Sequence, residues 1–98
     1  MKLPIVFHDL AERELSEAAE YYDSARPGLG RAFISAVERA SASLEECPLA
    51  GREISLDVRW WLIKRFPYAL VYRVRETHVR ILAVANTKRR PLYWCRRR

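Results

Sequence analysis

The segment from Phe66 to Trp94, FPYALVYRVRETHVRILAVANTKRRPLYW, constrains the fold more than any other part of the chain. Two runs of strand-type residues, Ala69–Arg75 and Val79–Ala85, are joined by only a few residues around Glu76 and Thr77, a spacing that predicts an antiparallel hairpin. Side chains alternate across a strand, so Leu70, Tyr72 and Val74 share one face while Val71, Arg73 and Arg75 share the other. One face is apolar and the other carries cations. The second strand then leads into Lys88, Arg89, Arg90, Tyr93 and Trp94, so the hairpin delivers a cationic, aromatic segment to the edge of a sheet.

Charge is divided along the chain in the same sense. Residues 1–57 hold 6 Lys+Arg against 11 Asp+Glu, whereas residues 58–98 hold 12 against the single Glu76, which together give the net charge of +6. Basic residues chosen only for solubility would be spread evenly, so the asymmetry points to a polyanionic target or an acidic partner for the C-terminal half. At 98 residues, with 50% hydrophobic and 31% charged residues, the chain is one domain, 1–98, in the ordinary range for a globular protein. No apolar run approaches the roughly 18 residues of a membrane helix, and the N-terminus turns acidic too early for a signal peptide, so a cytoplasmic location without membrane contact is expected. Cys47 and Cys95 form no metal-type cluster and are read as free thiols. His8 and His78 lack the partners of a nucleophile or metal site, so no metal or cofactor is expected.

Upstream, Leu3–Phe7 reads as a short strand, marked as an edge by Pro4. Asp9 and Glu12 have the spacing of a capping box and open a first helix, in which Ala11, Leu15, Ala18, Ala19 and Tyr22 form an apolar stripe. Glu14, Glu17 and Glu20 fall off that stripe. Arg26-Pro27-Gly28 breaks the helix. A second helix carries Leu29, Phe33, Ala36, Val37, Ala40, Leu44 and Cys47 at helical spacing and ends before Pro48. So short a turn between two helices of this length predicts an antiparallel αα-hairpin. Glu53–Leu56 is a short strand or a loop, and Arg59–Arg65 is a strand with Trp61 and Ile63 on one face and Trp60, Leu62 and Lys64 on the other. The expected fold is α+β in the order β-α-α-β-β-β, a helical hairpin packed on one face of a small, mainly antiparallel twisted sheet whose other face is open.

In this order and at this length, the tyrosine pair Tyr21-Tyr22, the helix ending ECPLAGRE, the FPYALVYRV and ILAV strands and the RRPLYW tail resemble the RelE/ParE superfamily of bacterial type II toxins. The resemblance covers nearly the whole chain. It implies the fold just described and a growth-inhibiting toxin neutralised by a short cognate antitoxin in a hetero-oligomeric toxin–antitoxin complex. RelE-like members cleave mRNA in the ribosomal A site; ParE-like members inhibit DNA gyrase. Metal-independent RNA cleavage needs a group to activate the 2′-hydroxyl, cations around the phosphate and an acid for the leaving oxygen. Carried over from the RelE-like branch, those roles fall to Lys64, Arg65, Arg89 and Tyr93. The slot of the third-strand arginine is Ala69 here, which favours the ParE-like activity, with the ribosome-dependent endoribonuclease as the alternative.

Under the favoured reading, Lys88, Arg89, Arg90 and Trp94 contact the target, because this cationic run follows directly on a strand end. Trp60 and Trp61 face opposite ways, and the one left exposed on a cationic face is a candidate hot spot for the antitoxin, together with Arg73 and Arg75. Tyr93 and Trp94 each have a second reading, as anchors that pack the tail onto the sheet.

Overall fold

The two helices form where the apolar stripes place them. In the computed structural model, which describes residues 2–90 and 92–98, α1 spans Asp9–Ala25 and α2 spans Leu29–Glu46. Pro91 of the RRPLYW motif lies outside the described residues. The N-cap of α1 is His8 rather than Asp9: the His8 Nδ1 accepts from the Leu10 amide at 3.0 Å, and Asp9 becomes the first helical residue, where its charge suits the helix dipole. The turn into α2 needs a left-handed residue, and Gly28 supplies it at φ 90°. No side chain of the turn caps α2. Instead Asp23 of α1 accepts from the Gly28 and Gly30 amides at 3.1 and 3.0 Å, which locks the second helix onto the first. Gly30 sits so close to the Ala19 carbonyl that a Cβ there would overlap it, the mark of tight helix contact.

The hairpin stands at the centre of the sheet. Strands β1 (Ile5–Phe7), β2 (Arg52–Ser55), β3 (Val58–Leu62), β4 (Tyr68–Val74) and β5 (Val79–Asn86) form one sheet in the order β1-β5-β4-β3-β2. All neighbours are antiparallel except β1 and β5. Two expectations change. The stretch around Glu53 is a strand, paired with β3 through a register shift between Glu53 and Ser55. The strand expected over Arg59–Arg65 stops at Leu62, so Lys64 and Arg65 lie in the turn to β4, with Arg65 at φ 75°. The alternation ends there because the chain must reverse before Pro67.

Both faces of the sheet are covered to different extents. On the helix side, Leu70, Tyr72, Ile81 and Val84 pack against Phe33, Val37 and Leu44 of α2 and the small residues Ala11, Ala18 and Ala19 of α1. An aromatic group, Tyr22, Phe33, Phe66 and Tyr68, ties both helices to the β3–β4 turn with ring centroids 4.9–6.2 Å apart. The opposite face is not open as expected: Val58, Val71, Leu82, Ala83 and Ala85 are buried there beneath Trp94, with Tyr93 and Ile54 packed alongside. A register shift opposite Val71 and Tyr72 makes Leu82 the extra residue of β5 and turns both Leu82 and Ala83 toward this second core.

The Pro48–Gly51 connection into β2 is fastened by Tyr72, which is fully buried at the middle of β4. Its hydroxyl donates to the Pro48 carbonyl at 2.8 Å and accepts from the Gly51 amide at 2.9 Å. Arg59 adds bonds to the Gly51 and Leu49 carbonyls at 2.8 and 3.2 Å. Tyr72→Phe leaves two buried backbone groups without partners and is expected to lower the unfolding free energy by about 1–3 kcal/mol in a denaturant melt. Gly51→Ala, whose Cβ would overlap the same hydroxyl, is expected to cost at least as much.

Candidate partner-binding site

β1 is shorter than β5, and that mismatch creates the local chemistry of the tail. The last backbone bond from the β1 side is His8 N–H to the Ile81 carbonyl, at 2.8 Å. Beyond it, the β5 edge would expose a carbonyl and an amide to a partly buried setting, where unpaired backbone groups are costly. Two side chains take the place of the missing strand. Glu14 Oε1 accepts from the Val84 amide at 3.0 Å, and Arg97 Nη1 donates to the Leu82 carbonyl at 3.0 Å. The two then join as a bidentate pair, with Arg97 Nη1 and Nη2 donating to Oε1 and Oε2 at 2.9 and 3.0 Å. Each side chain is only 13% exposed.

This pair holds the tail across the second face. Tyr93 lies between two guanidinium groups, Arg89 at 4.1 Å and Arg97 at 5.2 Å from its ring centroid, a doubled cation–π contact. Its hydroxyl is buried without a hydrogen-bond partner of good geometry among the described residues. Burial, and then the nearby Glu14 carboxylate, push its pKa up to about 12 against the opposing pull of Arg89 and Arg97. Trp94 is 5% exposed. It is therefore a pin for the tail and presents no surface to a target, which corrects its assignment as a contact residue; Lys88, Arg89 and Arg90 do remain exposed.

A separate exposed surface forms around β3. Trp61 faces the helices, Trp60 the opposite side, and both are half-buried. Leu62 between β3 and the turn is 58% exposed, with Leu49 and Leu56 also on the surface. A groove of about 280 Å³ between α2 and β3 is lined by Ala36, Arg39, Ala40, Ser43, Trp61, Leu62 and Lys64. A second, of about 390 Å³, runs over Ala50, Arg52, Trp60, Trp61 and Leu62, with the Arg52 guanidinium 5.8 Å from the Trp60 ring. The combination is apolar at its centre and cationic at its rim.

The profile of the ParE toxins of type II toxin–antitoxin systems, parDE, matches residues 5–91. The chain belongs to the ParE toxin family. The fold is also that of the chromosomal ParDE toxin–antitoxin system from P. aeruginosa, with a TM-score of 0.77 at 18% sequence identity over 87% of this chain and 96% of that one. No curated protein matches the sequence.

Seen on this toxin, the four residues of the ribonuclease alternative fall in two segments, the β3–β4 turn and the tail, which meet where the Thr87 amide donates to the Pro67 carbonyl at 2.8 Å. Lys64 lines the α2–β3 groove and Arg65 is exposed in the adjoining turn. Arg89 stacks on Tyr93 and lies 4.0 Å from the Glu14 carboxylate of the tail lock. Ala69, in the arginine slot, is fully buried. Arg73 and Arg75 lie toward the β4–β5 turn, on the same face as Trp60. The side chains that sequence reasoning missed are Glu14, one of three glutamates off the helical stripe, and Arg97, which no sequence pattern singled out. Only their closeness in space, across 83 residues of chain, sets them apart.

Removing one partner of the lock strands the other and reopens the β5 edge. Glu14→Ala is expected to cost about 3 kcal/mol in thermal unfolding, and to speed amide exchange at Val84 more than at the β4-paired residues of β5. Alkaline pH should act on the same region. Tyr93 keeps its proton to about pH 12 in the folded toxin, whereas the unfolded chain releases it near the ordinary tyrosine value of 10.0. The folded state therefore binds more protons between these values, and stability should be lost as pH rises through that window. Tyr93→Phe is expected to remove this part of the pH dependence in unfolding melts.

Proposed function

We propose that this toxin arrests growth by binding DNA gyrase in the cytoplasm, without chemistry of its own, and is neutralised by an acidic, amphipathic antitoxin segment that docks on the β3 surface. The observation that carries the target reading is the tail lock. The tyrosine hydroxyl that a nuclease would use is buried beside the tail lock, the late arginine stacks on its ring, and the third-strand slot is a buried alanine. What remains is a folded-back cationic segment suited to binding a macromolecule rather than a cleft that converges on a phosphate. Family membership supports the same reading, and the ParDE system sharing this fold pairs such a toxin with an antitoxin.

The antitoxin reading rests on complementarity. Trp60, Trp61 and Leu62 offer apolar area, while Arg39, Arg52 and Lys64 at the rim select for carboxylates. A disordered segment folding onto this surface would bury the tryptophans and fix its register through the cations.

Brief induction of the toxin without antitoxin is expected to stop growth with loss of plasmid supercoiling and intact translated message. Rapid message cleavage at normal supercoiling would sink the gyrase reading and establish the ribonuclease alternative. The double substitution Trp60→Ala and Leu62→Ser is expected to weaken the toxin–antitoxin complex by about 2 kcal/mol or more in calorimetry; unchanged affinity would remove this surface from the interface.

A further inference from the structure

The end of the sheet near the β4–β5 turn carries an unusual juxtaposition. Arg73 and Arg80 are direct cross-strand partners, so their side chains rise from the same face on adjacent strands. Like charges placed opposite each other destabilise a sheet. Neither arginine is in an ion pair among the described residues. The nearest acids by register, Glu53 and Asp57 of the β2–β3 hairpin and Glu76 of the β4–β5 turn, leave both unneutralised. The Arg73 Nε is buried and has no hydrogen-bond partner among the described residues. Arg80 Nε donates to the main-chain oxygen of Arg98 at 3.2 Å.

Further cations gather round this pair. Arg75 and His78 are joined by a backbone bond across the turn, at 2.8 Å, and by strand alternation share the Arg73 face. The Arg80–Arg98 contact brings the exposed residues Arg96 and Arg98 to the same end. In contrast to the β3 surface, none of the exposed large apolar side chains among the described residues belongs to β4 or β5. Val58 and Val71 are already buried under the Trp94 group, and the exposed apolar residues Val6 and Leu56 lie at the two margins of the sheet. An amphipathic protein segment would gain little by burial. A ligand that offers regularly spaced, fully ionised oxygens and asks for no apolar contact fits: guanidinium groups bind phosphate in bidentate fashion.

We propose that the Arg73–Arg80 pair, flanked by Arg75, Arg96 and Arg98, is a binding site for the phosphodiester backbone of nucleic acid. The site extends the gyrase reading, since the DNA held by gyrase would supply such a backbone, but it belongs to the free toxin and stands or falls separately. Contacts confined to phosphates carry no base information, so binding is independent of sequence and steeply dependent on salt.

The test is fluorescence anisotropy of the purified toxin with a short labelled DNA duplex over a salt series, with no gyrase present. Arg73→Gln with Arg80→Gln should lower the slope of log K against log salt by about 1.8, two phosphate contacts at about 0.9 each. Arg73→Lys with Arg80→Lys should retain most of the slope. The Gln variant relieves a like-charge contact, so its thermal unfolding should be at or above that of the wild type, and weak binding by it reports the site rather than misfolding. Equal binding by wild type and Gln variant, or no binding by the wild type, overturns the proposal. So does displacement of the duplex by polyglutamate at equal charge concentration, which would assign these arginines to an acidic protein segment instead. A labelled RNA duplex run in parallel identifies which backbone is preferred, and the supercoiling experiment decides the gyrase reading independently.

Discussion

The unpaired part of the β5 edge is the constraint on which the rest of this toxin depends. A central strand of eight residues beside an edge strand of three leaves backbone groups that must find partners away from bulk water. Glu14 and Arg97 supply one acceptor and one donor in the positions a further strand would have used. An isolated buried ion pair is weak evidence of stability, because desolvation offsets most of the attraction. Here both charges are hydrogen-bonded to the backbone as well as to each other, and their removal would leave more than the pair unsatisfied. The lock sets the path of residues 89–97, and that path lays Trp94 over the second face.

Closing that face changes what the surface can do. Had the tail been free, Val71, Leu82, Ala83 and Ala85 would have formed an apolar sheet face open to any partner. With the tail in place, Leu62 and the half-buried Trp60 and Trp61 keep apolar area at the surface of β3, while Arg73 and Arg80 stand on strands that carry no exposed large apolar side chain among the described residues. Two neighbouring patches of one small domain therefore differ in the ligands they accept, although both are basic. The acidic helices supply few counter-charges to either, since Glu14 is the one helical acid paired with a cation of the C-terminal half among the described residues.

Much of the architecture was legible because it is written in local periodicity. The stripes through Ala11–Tyr22 and Leu29–Leu44, the Pro-Gly break and the alternation of the hairpin each reflect a repeat that a few residues suffice to define. The opposite orientations of Trp60 and Trp61 follow from the same rule. What escaped is non-local. Glu14 is one residue from its half-buried neighbour Leu15 and looks like Glu17 and Glu20 until β5 is beside it. The end of β3 at Leu62 depends on the left-handed backbone of Arg65, which no preference of arginine announces. The burial of Trp94 follows from an anchor three residues further on.

The span of the lock also bears on how this toxin is made. Glu14 emerges early in synthesis, but its partner follows 83 residues later, and β1 likewise waits for β5, its neighbour in the sheet. Until then the nascent chain is an acidic helical hairpin whose apolar faces have nothing to pack on. The central strands and two thirds of the Lys and Arg residues arrive last, so the sheet cannot be completed before translation is almost finished. A ribosome making this protein therefore carries a chain without its sheet for most of its transit, and an antitoxin already present in the cell has that interval in which to be waiting.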